Sequence, residues 1–320
     1  MKVFDAFNGD ADGICALIQL RLARPQPEAT LVTGVKRDIA LLERIDGQSG
    51  DEITALDISL DKNRPALVRL LNAGARVMYF DHHFAGEIPD HPALTTRINT
   101  QPEVCTSLLV NRETNGAFGS WAITGAFGDN LDRPANALAQ KQGLGQSDVL
   151  RLQALGVCMN YNAYGASEND LHFPPSDLYR RLYRYSDPLQ FLDDDSATFS
   201  KLQTGYQQDL ERARNADVLH NQPHAAVMRL PNEPWSRRVS GVFGNELANQ
   251  FPDRAHAVVT QGTQGLLVSV RAPLNNKQGA DEICRQFETG GGRKAAAGIN
   301  RLPPEDLDRF ITTFASHYQP

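Results

Sequence analysis

Four short apolar runs mark the early part of the chain: residues 2–7 (KVFDAF), 30–35 (TLVTGV), 52–58 (EITALDI) and 76–80 (RVMYF). Each alternates with period two or is continuously apolar, and each is too short for a core helix, so they read as strands. The intervening segments GICALIQLRLAR, RDIALLERI and NRPALVRLLNAG carry helical spacing of apolar residues. Strands alternating with helices of this length imply βαβ units, hence an α/β fold with a doubly wound, mainly parallel sheet. Open sheets of that kind bind ligands beyond the carboxyl ends of their strands.

Residues 103–165 read as mainly helical, and a turn followed by a polar helix occupies the region after them. The pattern predicts a first domain over 1–186, a helical connector over 187–222 and a second, smaller α/β domain over 223–320. In the second domain HAAVMRL, HAVVT and GLLVSVRA read as strands, GNELANQF and the region of GADEICRQF as helices, and TGGGRKAAAG as a glycine-rich loop. No internal repeat or low-complexity tract interrupts the sequence.

Composition narrows the class. The 320 residues are 41% apolar and 22% charged, the balance of a chain that buries a core, and single cores stop growing near about 250–300 residues. Two domains fit that length. No run approaches the roughly 18 apolar residues of a membrane span, and the N-terminus lacks a signal-peptide pattern, so a cytoplasmic protein with no membrane partner is expected. Cys15, Cys105, Cys158 and Cys284 are scattered without a C-x-x-C pair, which fits reduced core thiols. The formal charge of −6 argues against grip on a long nucleic acid, which neutralises many phosphates with a basic surface.

The chemistry gathers where strands end. FNGDADG places Asp10 and Asp12 after the first strand, Asp57 closes the third, RVMYF delivers Asp81, His82 and His83 in succession, and Asp129 follows an apolar helix. Singly, each has an ordinary reading: an Asp before Gly is a turn residue or helix cap, Asp57 and Asp129 can cap helices, and a His at a strand end is a satisfied hydrogen-bonder. Jointly they are costly, because several carboxylates converging on one sheet edge repel one another unless cations compensate. Oxygen-rich ligands with imidazole suit manganese or magnesium better than zinc. Two such ions about 3.5–4 Å apart suit phosphodiester hydrolysis, with the second His left to donate a proton or hydrogen bond to the phosphate or leaving group.

GDADG, ALDIS, DHH and GAFGD, in that order, together with GLLVSVRAP and GGGRKAAAG in the C-terminal third, resemble the blocks of the DHH phosphoesterase family with its DHH-associated domain, over nearly the whole chain. The resemblance implies two divalent cations, Mn²⁺ before Mg²⁺: one held by Asp10 and Asp57, the other by Asp12, Asp57, His82 and Asp129, with Asp57 bridging. It implies that Asp81 orients or ligates and that His83 faces the scissile phosphate. Two departures stand out. Ala6 occupies a position where many relatives have a ligating His, and Asn8 one where others have Asp, so the first ion would rely on Asn8 or water. Arg293 replaces the His that commonly follows the glycines.

The glycine run Gly290, Gly291 and Gly292 would let backbone N–H groups approach an anion, with Arg293 and Lys294 following at once, and the resemblance places Arg271, on the strand VSVRA, near the substrate as a further cation. Arg237 and Arg238 read as a solvated face. The resemblance to stand-alone, two-domain members of the family implies a short linear nucleotide as the substrate, with the far nucleotide held by the second domain and a hinge through the connector. Because Arg pairs with guanine O6 and N7, the dinucleotide pGpG is the specific expectation. A 3′,5′-bisphosphonucleotide phosphatase, a single-strand exonuclease and a catalytically impaired nucleotide-binding protein are the alternatives. Both a monomer and a homodimer remain open.

Overall fold

The structure is a computed structural model and describes residues 1–262 and 264–319. The chain divides into two compact units: Met1–Ala163 with Ser167–Gln203, and Tyr164–Ala166 with Thr204–Pro320.

The first unit is built on five parallel strands: β1 (Val3–Phe7), β2 (Thr30–Val32), β3 (Glu52–Leu56), β4 (Arg76–Asp81) and β5 (Leu94–Ile98). Their spatial order is β2-β1-β3-β4-β5. The chain therefore leaves β1 for one side of the sheet and later returns to the other, which creates a topological switch point between β1 and β3, where open α/β sheets place their ligands. The helices that begin in this unit are α1 (Ala11–Ala23), α2 (Leu60–Asn72), α3 (Thr106–Glu113), α4 (Gly119–Gly128), α5 (Asp132–Lys141), α6 (Gln146–Ala163), α7 (Pro175–Leu182), α8 (Pro188–Asp194) and α9 (Ser196–Ala213).

Strand alternation sorts side chains between the two faces. Phe4 and Ala6 of β1, Ile53 and Ala55 of β3 and Val77 and Tyr79 of β4 pack with Ala66, Leu67 and Leu70 of α2 in one apolar cluster. On the opposite face Asp5 receives a bidentate ion pair from Arg21 of α1, joined by Thr54 Oγ1 2.9 Å from Arg21 Nη2. The sheet is thus covered on both sides, as the near-continuous apolar strands require.

The second unit has a six-stranded mixed sheet. Its elements are β6 (Asp217–Asn221), β7 (Ala225–Arg229), α10 (Pro234–Gln250), β8 (Ala255–Gly262), β9 (Gly265–Arg271), α11 (Ala280–Cys284), β10 (Gly290–Gly292), β11 (Ala296–Leu302) and α12 (Leu307–His317). The strand order is β10-β11-β9-β8-β7-β6. Val227, Val259, Val268 and Val270 pack against Ile283 of α11 and Phe310 and Phe314 of α12.

Several elements differ from the sequence reading. The helix expected at RDIALLERI is only the 3-10 turn Leu41–Arg44. Its backbone is satisfied from α2 instead: Asn63 accepts from Leu42 N and donates to Ile39 O, and Arg69 donates to the Leu42 and Ile45 carbonyls. With those groups paired, the segment has no need of internal helical bonds. The unit boundary falls inside α9, and the end of the expected connector, Asp217–Asn221, is the edge strand β6. The glycine run expected as an N–H nest is also a strand: Gly290–Gly292 pairs antiparallel with Ala297–Ile299, and Gly292 has φ +140°. Extended backbone spreads successive N–H groups to opposite sides rather than into one concavity. All four cysteines are buried and free. Among the described residues no helix is long and apolar enough to cross a membrane.

Candidate metal centre

The carboxyl edge of the parallel sheet collects the acidic residues, each by its own local device. Asp10 caps α1, its Oδ1 accepting the Gly13 N–H at 3.1 Å. Asp12 lies in the first turn of that helix, and its two oxygens accept the Thr106 and Ser107 N–H groups, each at 2.7 Å. Those are orphan donors at the N-terminus of α3, so the carboxylate ties two helix starts together. Asp57 follows β3 in the left-handed region, with φ +60°. Asp tolerates that conformation better than most residues, and here it turns the side chain back over the sheet edge, where Oδ1 accepts from Thr106 Oγ1 at 3.0 Å. Asp129 is the C-cap of α4. A carboxylate is electrostatically misplaced at a helix C-terminus, so its position is not explained by helix stability.

His82 occupies the centre of this arrangement. Its Nδ1 lies 2.8 Å from the Val104 carbonyl oxygen. A carbonyl only accepts, so Nδ1 carries a proton, and the tautomer this contact selects presents the lone pair of Nε2 on the other side of the ring. That nitrogen lies 3.3 Å from Asp57 Oδ1, 3.8 Å from Asp129 Oδ2 and 3.9 Å from Asp12 Oδ2. All four groups are buried. In that tautomer Nε2 and the three carboxylates face one another as electron-pair donors. A proton on Nε2 would balance one of the three carboxylates; a divalent cation satisfies the set. Burial, then the charges of Asp12 and Asp10, pushes the Asp57 carboxyl well above the usual carboxylate range, although nearby His83 opposes the rise. The donor set is oxygen-rich with one imidazole, the composition suited to Mn²⁺ or Mg²⁺. The residues fit the ion that the resemblance implies.

His83 is different. Its side chain is 33% exposed against 3% for His82, and its Nδ1 lies 2.7 Å from Asp81 Oδ1. The same oxygen accepts the backbone N–H groups of His82 and His83. Asp81 therefore fixes the ring and tautomer of His83 and leaves Nε2 outward. Asp57, His82 and His83 also form a group whose potential ligand atoms lie within 4.8 Å of one another.

Asp10 and Asn8 sit to one side. Asp10 Oδ2 is ion-paired with the Lys36 ammonium, which also donates to Asn160 Oδ1 at 2.9 Å. Burial alone would raise the Asp10 carboxyl; Lys36 outweighs it and holds Asp10 below its ordinary value. Asn8 uses its amide within the loop, accepting from Asp10 N and donating to Lys36 O. Lys36, Asn160, Thr106 and Val104 are absent from the sequence reading. A lysine just past β2 and a Thr opening a helix gave a weak local signal for them. Their roles come from segments distant in the chain.

In the second unit, the structure places Arg271 of β9 opposite Ala296, beside the turn that carries Arg293 and Lys294. The Arg293 N–H donates to Ala296 O at 2.8 Å and closes that turn. The Arg271 guanidinium is held by Asn245 Oδ1 at 2.6 Å and Gly241 O at 3.1 Å, both from α10. Neither α10 partner was legible as part of a site. Arg238, read as a solvated face, is instead paired with the buried Asp209 at 2.8 Å, while Arg237 is half-buried and donates to Asn232 Oδ1 at 3.1 Å.

No protein-family model matches the chain, and no curated protein matches it in sequence. Solved structures do match its fold. A DHH-domain protein described as a member of a family of ribosomal proteins superposes with a TM-score of 0.69 at 14% identity, covering 99% of this chain and 86% of that one. The exonuclease RecJ bound to manganese gives 0.65 at 16%, over 99% and 90%. The pGpG-specific phosphodiesterase PggH from Vibrio cholerae gives 0.53 at 15%, over 99% of both chains. The chain has the α/β fold of the DHH-domain proteins across its full length.

Proposed function

We propose that this chain is a divalent-metal-dependent phosphodiesterase that hydrolyses short linear nucleotides, from dinucleotides to short oligoribonucleotides, to mononucleotides, with pGpG as the preferred substrate. The observation that carries the reading is the His82 ring, fixed by Val104 O so that Nε2 faces Asp12, Asp57 and Asp129. Those four residues hold the ion. When bound there, a divalent cation supplies Lewis acidity toward a phosphoryl oxygen and lowers the pKa of water. The chain does the rest: Asp81 holds His83 at Nδ1, and the half-exposed ring presents Nε2 to give or take a proton at the scissile phosphate. Similarity to a manganese-bound exonuclease and to a pGpG phosphodiesterase supports the same chemical class.

The base preference rests on Arg293, whose guanidinium matches guanine O6 and N7, and on Arg271 and Lys294 as phosphate partners. The test is turnover, in Mn²⁺, of pGpG, pApA, cyclic-di-GMP, a five-nucleotide RNA and the bisphosphate pAp, with mononucleotide and inorganic phosphate measured separately. Mononucleotides from pGpG and the short RNA are expected. Phosphate from pAp alone would establish the phosphatase reading in its place. Arg293→Ala should slow pGpG about tenfold or more relative to pApA, since a bidentate guanine contact is worth about 1–3 kcal/mol; equal losses would remove the guanine assignment.

A further inference from the structure

Lys36 is a built part of the centre rather than a passing surface cation. Its backbone is pinned from both sides: its N–H donates to Ala163 O at 2.9 Å, and its carbonyl accepts from Asn8 Nδ2 at 3.2 Å. Its side chain is three-quarters buried, with the ammonium on Asp10 Oδ2 and Asn160 Oδ1. Three segments far apart in sequence, the loop after β1, the loop after β2 and the end of α6, thereby converge on one amine.

That placement bears on the metal count. Asp10 has both oxygens engaged, Oδ1 by the Gly13 N–H and Oδ2 by Lys36. Around it, Ala6 is a buried methyl with no donor atom, and Asn8 is neutral with its amide committed to backbone groups. The His82 side of the cluster, by contrast, offers three carboxylates and an imidazole. A divalent ion on the Asp10 side would have to displace a tethered ammonium that then remains beside it, and it would gain few oxygen ligands for a hard cation that takes six or more.

We propose that the Lys36 ammonium is the second cation of this centre, so that the chain binds one divalent ion, on Asp12, Asp57, His82 and Asp129, where the resemblance implies two. The inference rests on the metal-centre reading above. Lys36 neutralises Asp10 without exchanging with solvent, so charge compensation on the Asp10 side is a fixed property of the sequence and needs no metal.

The measurement is manganese stoichiometry on metal-stripped full-length protein, by calorimetric titration and low-temperature electron paramagnetic resonance. Wild type should bind one Mn²⁺ per chain and show the spectrum of an isolated ion. Lys36→Met, which keeps the stem and removes the charge, should bind a second ion and give an exchange-coupled spectrum, whereas Lys36→Arg should stay at one. Two coupled ions in wild type would overturn the proposal, as would a folded Lys36→Met that stays at one. Should Lys36→Met not fold, the wild-type count and spectrum decide the matter alone. Asp57→Asn separates this inference from the reading beneath it. Wild type with two ions that Asp57→Asn abolishes removes only the Lys36 proposal, whereas manganese binding unchanged by Asp57→Asn removes the metal centre itself.

Discussion

At the scale of single residues, the centre is a place where folding stability is given up for chemistry. Asp57 combines a left-handed backbone, full burial and three neighbouring carboxylates, and its carboxyl is pushed well above the ordinary range. Between the unfolded and the raised folded pKa, the folded chain keeps a proton that the unfolded chain has released. Metal-free stability therefore falls as pH rises through that window, and the deficit is largest once pH exceeds the folded pKa. Asp57→Asn removes the charge but keeps an acceptor for Thr106 Oγ1. The metal-free variant should be more stable than metal-free wild type at neutral pH, by about 1–2 kcal/mol in denaturant titration. It should also lose the Mn²⁺-induced rise in Tm and most of its turnover. A variant less stable than wild type without metal would show that the carboxylate is held by other means. The DHH triplet itself was legible in the sequence as a cluster that no core selects, but the division of labour within it was not. The proposed division, with His82 as ligand and His83 toward the phosphate, rests on one carbonyl at Val104 and one carboxylate at Asp81.

At the scale of elements, helix contact distances set the ligand geometry. A Cβ placed on Gly128 would lie 2.2 Å from Ala11 Cβ and 2.9 Å from Gly156 O, so α4 meets α1 and α6 only because this position has no side chain. Asp129 is the next residue and Asp12 sits next to Ala11, so this close approach brings two of the proposed ligands together. Gly128→Ala should cost about 1–3 kcal/mol by overpacking and should weaken Mn²⁺ binding measured by titration, because α4 must shift outward. Loss of stability with unchanged metal affinity would detach the helix contact from the site. The core strands β1, β3 and β4 were plain in the sequence because burial on both faces demands continuous apolar residues. The polar edge strands β5 (LTTRI) and β6 (DVLHN) were not, since an edge with half-exposed faces carries no such pattern.

At the scale of the whole molecule, net charge bears on the proposed partner class. With a formal charge of −6, the chain lacks the net basic surface by which proteins neutralise many phosphates. A long single-stranded RNA in molar excess should therefore leave the rate of pGpG hydrolysis nearly unchanged, and the rate should fall only weakly with added salt. Strong competition by the long strand would shift the substrate class toward polymers. The two-unit division follows the expectation from chain length, yet its boundary lies within α9, because a continuous polar helix can belong to one packed unit at its start and another at its end.

The sequence by itself determined the α/β alternation, the positions of the acids and histidines at strand and helix ends, and the presence of a second small α/β unit, since periodicity and residue type are local properties of the chain. Tertiary structure decided which of those side chains share a point in space. The β1–β3 switch point, the α1–α4 contact and the Lys36 ammonium are formed by segments separated by tens of residues or more. No local pattern encodes such meetings, because they depend on how whole elements pack.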